Sequence, residues 1–87
     1  MLRRLVLDVL KPHLPNNVEL ARELTKIRGV EGVSIITYNR ETRVESVRII
    51  IEGRNLNYKR IEKTLSKLGA SIQSIDAVSA GKKILRE

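Results

Sequence analysis

The stretch Arg3–His13, RRLVLDVLKPH, constrains this chain more than any other. It is an apolar run of Leu and Val with one carboxylate, Asp8, at its middle. A basic turn, Lys11-Pro12-His13, closes it abruptly. Alternation sets Leu5, Leu7 and Val9 on one side of an extended chain, and Arg4, Val6, Asp8 and Leu10 on the other. The run therefore reads as a strand, Leu2–Leu10, at the centre of a small sheet. Pro12 lacks an amide donor and ends the ladder.

The remainder alternates helix and strand signals. Pro15-Asn16-Asn17 is turn chemistry and offers an N-cap at Asn16 or Asn17. A helix follows to about Arg28, with Val18, Leu20, Ala21, Leu24 and Ile27 as its apolar stripe. Glu19 near its start and Lys26 and Arg28 near its end complement the helix dipole, and Gly29 stops it. Val30–Tyr38 reads as a second strand with a bulge or bend at Gly32. The polar segment Asn39-Arg40-Glu41-Thr42 reads as a hairpin turn, and Val44–Glu52 as a third strand ended by Gly53. Asn55 or Asn57 can cap a second helix that runs to Leu68 and buries Tyr58, Ile61, Leu65 and Leu68. Gly69 ends that helix, Ala70–Val78 is the fourth strand, and a basic tail begins at Ala80.

The order is strand–helix–strand–strand–helix–strand. Right-handed crossovers put both helices on one face of a four-stranded antiparallel sheet. This is the ferredoxin-like βαββαβ sandwich, an α+β fold with strand order 4-1-3-2. The whole chain, 1–87, reads as one such domain.

The helices cover one sheet face, filled on the first three strands by Leu5, Leu7, Val9, Val33, Ile35, Val47, Ile49 and Ile51. The open face carries Val6, Asp8, Leu10, Ser34, Ile36, Tyr38, Ser46, Arg48 and Ile50. A solvated sheet face is normally polar. This one is about half apolar, which argues for a partner, and a second subunit is the favoured one. Asp8 and Arg48 share this face on neighbouring strands, and a cross-strand ion pair is the expectation. Asp76 on the fourth strand can bring a second carboxylate to Asp8, but the alternation there breaks between Ile72 and Ile75. A hard cation such as calcium would find oxygen ligands in Asp8, Asp76 or Glu31. His13, the single histidine, lies on a loop and reads first as a solvated turn residue.

Several functions fall away. Without cysteine there is no thiol chemistry, disulfide or Cys-ligated metal. RNA binding on the sheet needs aromatic residues on the central strands, and they have none. Phosphate-loop and dinucleotide fingerprints are absent. An acylphosphatase-like site wants a glycine-rich loop after the first strand, where this chain has KPHLPNN. His13 has no identifiable nucleophile partner, so no enzyme and no cofactor are expected. The net charge of +7 suits a phosphate-rich partner, but the basic residues are scattered. A solvated basic surface is favoured over nucleic-acid binding through backbone phosphates. No membrane span or secretory leader is read, and a cytoplasmic protein is expected. Few aromatics with many Arg, Lys, Glu and Ile suit a heat-adapted organism.

The topology is similar to that of the amino-acid-sensing ACT domains, on the segment Arg28-Gly29-Val30-Glu31-Gly32-Val33. A closer match lies in Leu7-Asp8-Val9-Leu10-Lys11-Pro12-His13, Gly29–Val33, Ile51-Glu52-Gly53 and Ser74-Ile75-Asp76-Ala77-Val78-Ser79-Ala80-Gly81. These segments resemble an archaeal family of uncharacterised proteins, domain-of-unknown-function family 211. The resemblance spans nearly the whole chain and implies a ferredoxin-like fold and a ring-like homo-oligomer, with no established activity. It places Asp8, Lys11, Pro12, His13, Asp76 and Gly81 in shared segments and gives them no roles. The expectation is a non-catalytic, self-associating domain that binds a small ligand or cation as a regulatory module. Its interface or ligand site would draw on Asp8, Lys11, His13, Ile36, Tyr38, Arg48, Ile50 and Asp76.

Overall fold

The computed structural model describes residues 1–86. Its elements are β1 (Leu2–Pro12), α1 (Asn17–Thr25), β2 (Val30–Arg40), β3 (Val44–Gly53), α2 (Tyr58–Lys67) and β4 (Ser71–Ala80). They form one antiparallel sheet in the order β2-β3-β1-β4. This is the ferredoxin-like order expected, with β1 and β3 central.

Alternation on the central strands sets the layers. Leu5, Leu7 and Val9 of β1 lie opposite Ile51, Ile49 and Val47 of β3, and all six are buried. Leu20, Leu24 and Ile27 from the first helical segment and Ile61 and Leu65 from α2 complete the core. α1 packs on β2 and α2 on β4. Each fully buried Leu or Ile contributes about 1.5–3 kcal/mol.

Both helices carry asparagine caps. The Asn16 side chain accepts from the Glu19 amide at 3.0 Å, and Asn57 accepts from the Arg60 amide at 3.0 Å. α1 is shorter than expected. Lys26 caps it, and the chain tightens into three-residue bonding from Ile27 N–H to the Leu24 carbonyl before Gly29 turns at φ +93°. Val18, assigned to its apolar stripe, is 58% exposed, because the stripe narrows to Leu20, Leu24 and Ile27.

The strands are longer than expected. β1 continues through Lys11 and Pro12, since a proline at the last position costs the ladder no interior bond. β2 takes in Asn39 and Arg40, so the turn shrinks to Glu41–Arg43. Register shifts at Val30/Gly32 and Thr37/Asn39 place one bulge where Gly32 suggested it and a second at Tyr38. β4 has further irregularities opposite β1, with Gln73 and Asp76 as extra residues. The extra residue Gln73 breaks the alternation between Ile72 and Ile75. The basic tail is tied back to the sheet: the Leu85 amide donates to Ser79 Oγ at 2.9 Å, and Arg86 makes two bonds to the Glu52 carboxylate, at 3.1 and 2.6 Å.

Candidate functional site

Two polar centres lie on the β1–β3 pair, one on each face of the sheet. On the open face, Asp8 sits opposite Arg48, Val6 opposite Ile50, and Ile36 of β2 opposite Arg48. The register thus brings together Asp8, Ile36, Arg48 and Ile50. The expected ion pair does not form: among the described residues, Asp8 has no cation within 4.0 Å. Instead the Tyr38 hydroxyl donates a short hydrogen bond to Asp8 Oδ1. Tyr38 shares the open face with Ile36, and its hydroxyl reaches Asp8 across β3. Two strand spacings, about 10 Å, are spanned by the phenol and the carboxylate arm together. The neighbouring carboxylate raises the phenol above its ordinary pKa, because ionising Tyr38 would break this bond and set two anions side by side.

Around this centre the open face exposes apolar side chains, while the docked tail and the burial of Val6 close its Arg4 end. Ile36 is 49% and Tyr38 56% exposed, and Leu10 and Ile50 are half-buried. Asp76 does not pair with Asp8. Ser74 faces Asp8 in the register, and the Ser74 hydroxyl donates to Asp76 at 2.7 Å. Among the described residues, no three His, Asp or Glu side chains gather as a metal site.

The second centre lies on the helix-covered face. Lys11 continues the inward row of Leu5, Leu7 and Val9, and is only 1% exposed. Its register partner is Glu45, also buried, at 3.3 Å from Lys11 Nζ to Glu45 Oε1. The other carboxylate oxygen meets His13 Nδ1 at 2.7 Å and Arg40 Nε at 3.3 Å. His13 Nε2 lies 2.9 Å from the Thr42 carbonyl in the β2–β3 turn. Both ring nitrogens face acceptors, so both donate in the charged imidazolium. The hydrogen bond to Glu45, then that to the Thr42 carbonyl, raise the His13 pKa. The same bond from His13 is the main cause that lowers Glu45. A cavity of about 200 Å³ adjoins the cluster, lined by His13, Asn16, Asn17, Thr37, Arg40 and Glu45.

His13 is therefore a fixed partner at the mouth of the covered layer, not a free turn residue. Lys11 is a core residue, not part of an exposed basic turn. Glu45 and Arg40 were not among the candidate residues. The signal for Glu45 was present: an inward row ending in a lysine asks for a carboxylate at the end of the facing row, Val47, Ile49, Ile51. Arg40 carried no such signal, since the Tyr38 bulge decides its side of the sheet.

The sheet order and the two helices on one face define a ferredoxin-like α+β domain. The chain belongs to the archaeal domain-of-unknown-function family 211, described as "Uncharacterized ArCR", whose model matches residues 3–87. It is also 44% identical over 86 residues to an uncharacterised protein of Methanocaldococcus jannaschii, covering 99% of this chain and 89% of that one.

Proposed function

We propose that this chain is a non-catalytic assembly module whose open sheet face packs against a second copy of itself. The observation that carries the reading is the exposed apolar surface of Ile36 and Tyr38 on the edge strand β2, continued by the half-buried Leu10 and Ile50 on the central pair. Apolar surface gathered in one patch is stabilised by removal from water, and a small domain gains core thickness that way. The polar centre suits a two-fold contact. Arg48 stands beside Asp8 without pairing to it, so the guanidinium of one copy can meet the carboxylate of the other. The non-catalytic part of the reading is supported by His13, whose two ring nitrogens are both engaged within the protein, by Glu45 and the Thr42 carbonyl.

Light-scattering mass on the eluting protein tests this. The wild type should run at a multiple of the 9.9 kDa chain mass, and Ile36→Glu and Ile50→Glu should each shift it towards a single chain with the fold intact by circular dichroism. A wild type at single-chain mass at its highest soluble concentration overturns the reading. So does an assembly that both variants leave unchanged.

A further inference from the structure

On the opposite side of the molecule from the open face, a groove of about 980 Å³ runs between the end of α1 and the start of α2. Four cations line it: Lys26, Arg28, Arg54 and Arg60. One acid, Glu23, is there too, and Lys26 holds it at 2.7 Å. Among the described residues, Arg28, Arg54 and Arg60 have no carboxylate within 4.0 Å, and all three are exposed.

These arginines are distant in sequence and are brought together by a backbone contact. The Arg54 amide donates to the Gly29 carbonyl at 2.9 Å, where Val30 pairs with Gly53. A β-carbon on Gly29 would strike the Arg54 carbonyl, and one on Gly53 would strike the Gly29 carbonyl. Only glycine permits this approach, and it sets Arg28 and Arg54 side by side. The chain then turns through Asn55 at φ +50° and enters α2, where the Arg60 amide donates to the capping Asn57 side chain and so places Arg60 in the first turn. That first turn contains Lys59 and Arg60 and no acid. Helix dipoles favour the reverse, as α1 illustrates with Glu19 in its own first turn. The carboxyl end of α1 offsets part of the charge of Lys26 and Arg28. Arg54 and Arg60 have no such compensation. A local rule broken where like charges crowd a concavity marks a place where an outside anion completes the balance.

We propose that this groove binds a multiply charged phosphate anion, a free polyphosphate or the polyphosphate group of a small molecule. Guanidinium forks match phosphate oxygens in pairs, and three of them around one concavity favour an oligophosphate over a single carboxylate. A nucleic-acid strand is the less fitting occupant. The cations converge on one hollow instead of following a track, and neither tyrosine of the chain lines it to stack a base.

Calorimetric titration of the full chain with inorganic triphosphate and with pyrophosphate at low ionic strength tests this. Saturable binding at one anion per chain is expected, tighter for triphosphate. Arg54→Gln and Arg60→Gln should each weaken it about ten-fold, the loss of one charge-assisted contact. Lys67→Gln, which removes the same charge outside the groove, should change it less than about two-fold, since that charge is screened. Unchanged melting temperatures would confirm that the variants fold. No saturable binding overturns the proposal, as does an equal loss in Lys67→Gln, which would show attraction by net charge alone. An oligonucleotide that binds more tightly than triphosphate, with a salt slope of several phosphates, would also overturn it in favour of a nucleic-acid surface.

Discussion

The strand pair β1·β3 carries two acid–base registers three residues apart, on opposite faces of the same sheet. Lys11 faces Glu45 under the helices, and Asp8 faces Arg48 on the open side. The covered pair forms an ion pair and the open pair does not. Register alone therefore does not decide pairing; access to water does. An exposed pair gains little from contact, because each charge is well solvated and the side chains lose freedom. Arg48 can stay in water and Asp8 can take the Tyr38 hydroxyl instead. Lys11 has no water to retreat to. A buried ammonium without its carboxylate is costly, so Glu45 is held where it is.

The largest test of that contrast is Glu45→Leu. It leaves Lys11 buried without its counter-ion, and the melting temperature should fall by on the order of 10 °C. The double variant Lys11→Met/Glu45→Leu should recover most of the loss, since two apolar side chains suit the end of an inward row. The open-face counterpart, Asp8→Asn, should move melting by less than about 3 °C in the single chain. Thermal unfolding followed by circular dichroism measures all three. Equal losses for Glu45→Leu and Asp8→Asn would mean that burial is not what separates the two centres.

How far the sequence disclosed this follows the same line. The two inward rows, Leu5-Leu7-Val9 and Val47-Ile49-Ile51, alternate without interruption, so the layers, the sheet order and the neighbourhood of Asp8 and Arg48 were legible. Lys11 continued its row in plain view, but Pro12 looked like a strand terminus and hid it. Tyr38 was harder. Alternation with Ile36 placed it on the open face, as found, but its reach across β3 to the Asp8 carboxylate was not legible. The grouping of Arg28, Arg54 and Arg60 was not legible at all. Basic residues scattered along the chain meet only because Gly29 and Gly53 let two backbone segments touch.

A smaller effect should appear in the pH dependence of stability. The folded pKa of His13 is raised above 6.5, so its contribution is fully present below about that value and is lost as pH rises through the raised one. Glu45 is lowered from 4.5, so its contribution is present above that value and is lost as pH falls through the lowered one. The cluster should therefore stabilise most between pH 4.5 and 6.5. His13→Gln should flatten the alkaline limb of melting temperature against pH and leave the open face unaffected. A wild type with no such limb, or a variant that keeps it, would assign the dependence to another group.

The smallest effect belongs to the open face and reads its electrostatics directly. Tyr38 is raised chiefly because its hydroxyl donates to Asp8, with the carboxylate charge adding to the effect and Arg48 opposing it. Asp8→Asn removes the charge and keeps an acceptor oxygen. The phenol of Tyr38 should then ionise at lower pH, while Tyr58, raised by burial on α2, should not move. Ultraviolet titration of the two tyrosines, with Tyr58→Phe to isolate Tyr38, separates them. In the assembled protein the same substitution acts twice if Arg48 of one copy meets Asp8 of the other, because the cross-copy contact is lost as well. A downward shift in Tyr38 with unchanged assembly would keep the hydrogen bond and remove the two-fold contact, while a shift with weakened assembly ties both to one carboxylate.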